Sequence, residues 1–169
     1  MSVVIRRLAA ADVKAYRDIR LEALKVFPQS YGSTYANSKM RPISSFADMI
    51  ENNTMFGVFC DKSLAGIACF ANSTGAQDSH VGHIYQIYVQ AKHQGKGLGT
   101  QLFNAIFAHA KTLVKQIHLG VGTKNHAAMA LYKKFGFEIY GTEPRALMVN
   151  GQYIDEHLMV KFLDQKESK

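Results

Sequence analysis

The stretch GHIYQIYVQAKHQGKGLGTQLF, Gly82 to Phe103, changes its pattern twice, and few folds accommodate such a change. Ile84, Ile87 and Val89, with Tyr85 and Tyr88 between them, form a β-branched and aromatic run of the kind that fills a strand packed on both faces. The run reads as a central strand. Apolar character stops at Lys92-His93-Gln94, Gly95, Gly97 and Gly99 then occupy alternate positions, and a helical pattern begins at Leu98. Glycines let a backbone turn tightly and bring its amides close to a ligand. The first N–H groups of a helix have no partner inside it and the dipole adds partial positive charge, so an anion placed there answers both. Lys92, Lys96 and His93 add basic groups, and phosphate is the expected guest. The same letters also suit an ordinary strand-to-helix turn in which glycines serve geometry alone. Spacing has to decide.

Two phosphate loops are excluded by the letters. A Walker A loop needs Gly-x-x-x-x-Gly-Lys-Ser/Thr, whereas Gly95-Lys96 is followed by Gly97 and has Gln90 where the first glycine belongs. The dinucleotide fingerprint Gly-x-Gly-x-x-Gly, started at Gly95 or Gly97, ends on Thr100 or Leu102. Gln94-x-x-Gly97-x-Gly99 does fit a known pattern: it resembles the Gln/Arg-x-x-Gly-x-Gly/Ala loop that binds the acyl-coenzyme A pyrophosphate in the GNAT superfamily of N-acetyltransferases. A second stretch, Asn125-His126-Ala127-Ala128-Met129-Ala130-Leu131-Tyr132-Lys133-Lys134-Phe135-Gly136-Phe137, resembles that family's other signature, Asn-x-x-Ala-x-x-Leu-Tyr-x-x-x-Gly-Phe, at every defined position. The two stand in the family's order. The resemblance is strong from about residue 80 to 141 and rests on the pattern of elements elsewhere.

A chain of 169 residues is long enough for one domain with a real core and short for two. The expectation is a single domain over residues 1–163 and a short tail, 164–169. The net charge of +7 suits nucleic acid, an acidic membrane surface or a phosphate-rich ligand. Lysines and arginines are scattered rather than massed and no nucleic-acid motif accompanies them, so a phosphate-rich ligand is favoured, with no nucleic-acid or membrane partner. Cys60 and Cys69 make no disulfide framework and read as reduced core thiols. With no apolar signal core and no run of membrane-spanning length, a soluble cytoplasmic protein is expected.

Along the chain, Val3–Leu8 reads as a strand, and Asp12 reads as the cap of a helix with apolar positions Val13, Tyr16, Ile19, Ala23, Leu24 and Phe27. Residues 28–43 read as a long loop, of the kind that often carries function. Ser45 and Asp48 suggest a capped helix through Asn52, and Thr54–Cys60 with Leu64–Asn72 a hairpin. After the central strand come a helix with Leu98, Leu102, Ile106, Ala110 and Leu113 on one face, a strand Gln116–Val121 parallel to the central one, and a helix from Asn125 to Phe135. Gly136 suits that helix's C′ position, and Asn150-Gly151 marks a hairpin between the last strands. This order is similar to the GNAT fold, an α/β mixed sheet of about seven strands with helices on both faces.

The resemblance implies an enzyme that transfers acetyl from acetyl-coenzyme A directly to an amine. It assigns main-chain amides at Ile87, Tyr88 and Val89 to the donor, the Ile87 N–H serving as oxyanion donor, and Gln94, Gly95, Lys96, Gly97, Leu98, Gly99 and Thr100 to the pyrophosphate. It also assigns Tyr132 to the coenzyme A sulfur, although a helical tyrosine is commonly a core residue. Asn125 suits either a helix cap or a donor contact. An ammonium acceptor needs a base; His83 stands where some family members carry a glutamate, and its reference pKa suits the task. His80 and His83 do not read as a metal pair, and no metal is expected. For the acceptor side, built in the family from the first helices, their loop and the last hairpin, the chain offers Glu22, Tyr31, Tyr35, Tyr153, Asp155 and Glu156. The acceptor's identity stays open, as does homodimerisation. The rival reading is a coenzyme A-binding regulatory module without turnover.

Overall fold

The computed structural model describes residues 1–165. Seven strands hydrogen-bond in the order β1-β2-β3-β4-β5-β7-β6: β1 (Val3–Arg7), β2 (Thr54–Cys60), β3 (Ser63–Asn72), β4 (Val81–Val89), β5 (Gln116–Gly122), β6 (Glu138–Val149) and β7 (Gln152–Phe162). Five helices accompany them: α1 (Val13–Val26), α2 (Tyr35–Lys39), α3 (Ile43–Asn52), α4 (Leu98–Ala110) and α5 (His126–Lys134). The sheet is mixed, as the sequence pattern predicts. Two compact units divide the chain, one formed by Met1–Ala71 with Ile84–His109, the other by Asn72–His83 with the described residues from Ala110 onward. Residues 166–169 of the expected tail lie outside the described part.

In the first unit β1, β2 and β3 are antiparallel neighbours. The β2–β3 hairpin closes on Asp61 and Lys62, both at positive φ (47° and 71°), as a two-residue turn that matches strand twist requires. Met55, Phe59, Ile67 and Cys69 pack with Tyr16, Ile19 and Ala23 of α1 and Phe46 and Ile50 of α3. Phe56 and Phe70 meet α4 instead, each edge-on to the His109 ring at 6.0 and 5.6 Å. Helices therefore cover both faces here. Cys60 and Cys69 are free, buried thiols; their partners across the ladder are Ser63 and Met55.

Three local expectations change. Asp12 stands before α1 without capping it, because its carboxylate accepts from the Arg6 guanidinium at 2.7 and 2.9 Å and from the Ala9 N–H at 2.8 Å. The stretch read as a loop contains α2, started by the Thr34 hydroxyl, which accepts from the Asn37 N–H. α3 begins at Ile43, so Ser45 sits inside its first turn and donates to the Pro42 carbonyl at 2.9 Å.

In the second unit β4 pairs in parallel with β5 over Val81–His83, and β7 lies antiparallel between β5 and β6. α5 begins as its letters require, with Asn125 Oδ1 accepting from the Ala128 N–H at 3.2 Å. It ends in a Schellman arrangement: Gly136, at φ 84°, donates to the Lys133 carbonyl, and the Phe137 N–H donates to that of Tyr132. The last hairpin turns at Asn150 (φ 50°) and Gly151 (φ 76°). β6 shifts register between Glu143 and Leu147, where Pro144 has no N–H to give.

Candidate functional site

Within the first unit, β4 is bent by Gln86, whose φ of 55° is rare for a non-glycine residue. The Tyr16 hydroxyl donates to Gln86 Oε1 at 2.7 Å from α1 and holds the bent residue in place. One residue on, the Ile87 carbonyl accepts from the Tyr31 hydroxyl at 2.8 Å, and the Val89 carbonyl accepts from Gln94 Nε2 at 2.9 Å. Alternate residues of a strand present N–H and C=O to the same edge. The N–H groups of Ile87 and Val89 therefore face the edge whose carbonyls these side chains hold, and Tyr88 faces the other, its carbonyl crowding the position of a Gly66 side chain.

The chain then makes a short 3-10 turn at Ala91–His93 and enters the glycine loop. Gly95 and Gly97 lie at φ 73° and 72°, and a Cβ on either would meet nothing within 4 Å. Conformation, not crowding, demands glycine there, and the space beside both is open. The Gly97 carbonyl accepts from the Gln101 N–H at 3.1 Å, so the amides of Leu98, Gly99 and Thr100 start α4 without acceptors inside it. His93 Nδ1 is buried beside this loop with no hydrogen-bond partner. Open glycines, first-turn amides, Lys92 and Lys96 together fit a pyrophosphate. Gln94 acts here as the strut tying the loop to the end of β4.

Near the bend, one residue escaped the sequence reading. Arg20 is 93% buried on the α1 stripe, since its relative exposure is 7%, and Nη1 has no hydrogen-bond partner. Its guanidinium lies over the Tyr31 ring, 4.5 Å from the centroid. Burial pushes the Tyr16 and Tyr31 hydroxyls up to about 12 and the Cys69 thiol up to about 11, so all three are neutral around this cation at pH 7. The available signal was spacing: Arg20 falls four residues from both Tyr16 and Leu24. Glu22, from the acceptor candidates, is engaged at both oxygens, accepting from the Tyr88 hydroxyl at 2.7 Å and Gln90 Nε2 at 2.8 Å. Tyr35 lies near the ammonium groups of Lys25 and Lys39.

The second unit carries His83, Asn125 and Tyr132. Nε2 of His83 is 3.4 Å from the Ser73 hydroxyl, and its ring lies 5.8 Å from that of His118. Burial, and then the His83 charge, hold His118 below the ordinary histidine range. Tyr132 is buried on α5 with its ring edge-on to Phe137 at 6.3 Å. Asn125 is the helix cap. On the last hairpin, Arg145 (φ 54°) donates its N–H to Asp155 Oδ1 at 2.8 Å and stacks on Tyr153. Burial raises the Glu156 carboxyl, and the facing Glu143 raises it further. Among the described residues, no group of three or more His, Cys, Asp or Glu could hold a metal, and no helix is long and apolar enough to cross a membrane.

Comparison with known proteins gives these arrangements a context. A sequence model of the acetyltransferase (GNAT) family matches residues 16–137. The L-amino acid N-acyltransferase MnaT of Escherichia coli K12 is 29% identical over 83 residues, 48% of this chain and 48% of that protein. The spermidine N(1)-acetyltransferase of the same organism is 27% identical over 117 residues, 68% of this chain and 61% of the relative. The chain thus spans about half to three-fifths of the length of these curated relatives. The structure of yncA from Salmonella typhimurium, solved with its cofactor acetyl-CoA, superimposes with a TM-score of 0.85 at 19% identity, over 100% of this chain and 98% of that one. At that identity the likeness is one of fold.

Proposed function

The chain belongs to the acetyltransferase (GNAT) family, and we propose that it transfers an acetyl group from acetyl-coenzyme A directly to the primary amine of a small molecule or protein. The observation that carries this reading is the loop of the first unit. Two glycines at positive φ, open space beside them and three acceptor-free amides at the head of α4 suit a pyrophosphate, with Lys92 and Lys96 adding charge.

The thioester supplies an activated acetyl group, and the residues divide the remaining work. Ile87, Tyr88 and Val89 hold the donor through their main chain, the Ile87 N–H taking the carbonyl oxygen as charge develops on it. The loop from Gln94 to Thr100 holds the pyrophosphate. Asn125, whose Oδ1 is taken by the cap, offers Nδ2 to the donor. His83 accepts the proton that the attacking amine loses, and Tyr132 gives one to the departing sulfur as its bond to carbon breaks. Direct transfer agrees with the state of Cys69, a thiol too basic to serve as a nucleophile at neutral pH. The proposed setting is cytoplasmic.

Release of free coenzyme A from acetyl-coenzyme A, followed with a panel of amino acids, polyamines, aminoglycosides and lysine or N-terminal peptides beside a no-amine control, tests the proposal. Amine-dependent release that maps to one class identifies the acceptor. Tight binding of acetyl-coenzyme A with no release on any amine supports the regulatory module instead, and absence of both binding and release overturns the reading. Light scattering on the same preparation decides between monomer and homodimer.

A further inference from the structure

We infer that Arg20 is the anion-reading residue of the acceptor side, and that the amine this protein acetylates carries a carboxylate. The inference rests on the transferase reading and names its acceptor class. It stands on the first unit alone.

A buried guanidinium without a counter-charge is unusual, because taking a cation out of water is unfavourable unless an anion and hydrogen bonds replace the solvent. Arg20 has neither. Its Nη1 is buried and unpartnered, and the titratable groups facing it are Tyr16, Tyr31 and Cys69, all neutral at pH 7. Cation–π contact with Tyr31 offsets part of the lost solvation and leaves Nη1 unsatisfied. Glu22 does not fill the gap: it lies two residues along α1, which puts it off the Arg20 face, and both its oxygens already accept.

Location decides which anion belongs there. The residues around Arg20 grip the bend of β4, Tyr16 through Gln86 and Tyr31 through the Ile87 carbonyl, whereas the pyrophosphate loop begins at Gln94, beyond the end of that strand. The donor's phosphates have their partners at the loop. The anion for Arg20 is therefore one brought to the reacting end, beside the Ile87 main chain, by the acceptor itself. A planar guanidinium recognises a carboxylate through two parallel N–H···O bonds, a geometry lysine lacks.

The test compares amino acids with their carboxamides as acceptors, using the full chain, Arg20→Met and Arg20→Lys. The expected result is a preference of tenfold or more in kcat/KM for the acids. In both variants kcat/KM should fall at least tenfold more for the acids than for the amides, chiefly through KM. Equal use of acid and amide by the unmodified protein, or equal losses for both in the folded variants, overturns the inference. A turnover-independent arm separates it from the transferase reading: thermal shifts with N-acetyl amino acids and their amides, beside acetate and inorganic phosphate. If no amine is acetylated but N-acetyl acids raise the Tm above their amides, above acetate and above phosphate, and Arg20→Met abolishes the difference, the transferase reading fails while the Arg20 subsite stands. Shifts equal for acid and amide, unchanged in Arg20→Met, or matched by acetate or phosphate overturn the subsite.

Discussion

The two ends of the β4 segment in the first unit handle charge in opposite ways. At the loop end, anion recognition is assembled from main-chain amides, so the residue types that matter are those that allow a backbone conformation: Gly95 and Gly97 at positive φ. At the bend, Gln86 adopts a comparable φ without being glycine, and side chains from α1 and the segment after it do the holding. A backbone site is shaped by helix geometry before any ligand arrives, and its free amides carry only partial charge. A side-chain site like that of Arg20 holds an unsatisfied cation in its resting state, and its energetic balance closes only with a ligand.

That contrast can be broken by substitution. The largest effect on donor binding is expected from Gly97→Val, which forces a β-branched residue into the left-handed region at a cost of about 1–2 kcal/mol. Acetyl-coenzyme A should bind roughly 5–30-fold more weakly by calorimetry, with the Tm of the free protein reporting strain separately. An unchanged Kd would mean that the loop conformation is not what the donor reads. Gln86→Val puts a β-branched residue at the bend and removes the acceptor of the Tyr16 hydroxyl; a loss of about 1–3 kcal/mol should lower the Tm by roughly 3–10 °C.

Arg20→Met sharpens the contrast from the other side. Removing an uncompensated buried cation should stabilise the free protein by about 1–2 kcal/mol after the stacking on Tyr31 is lost, raising the Tm by roughly 3–6 °C. A fall in Tm would show the cation to be structural. A further effect lies in alkali. Tyr16 and Tyr31 titrate near 12 in the folded protein against about 10 when unfolded, so the folded state holds more protons between those values. Their stabilisation is fully present below about pH 10 and is lost as pH rises toward 12. Urea unfolding across pH 9 to 11 should show that decline, and Tyr31→Phe should make it shallower.

Legibility followed the range of the interactions involved. The loop, the α5 cap at Asn125, the Gly136 terminus and the Asn150-Gly151 hairpin were readable because each is a local conformational requirement met by residues close in sequence. Asp12 misled because its carboxylate found Arg6 and the Ala9 amide, a competition that spacing does not rank. Residues 28–43 look like loop in composition, yet Thr34 starts a helix too short for periodicity to reveal. Arg20 passed unnoticed because an arginine on an apolar stripe ordinarily reads as a side chain with its stem packed and its charge in water.

The letters alone decide the family and the mixed α/β order, because two local signatures and alternating helical and strand periods survive without any knowledge of packing. Only the packed chain decides that Gln86 is bent, that Tyr16 and Tyr31 hold the residues at the bend, and that Arg20 lies buried beside them without an anion. Those partners stand 70 and 56 positions apart in the two hydrogen bonds, and a contact over such separations exists only after the sheet and α1 have closed on each other.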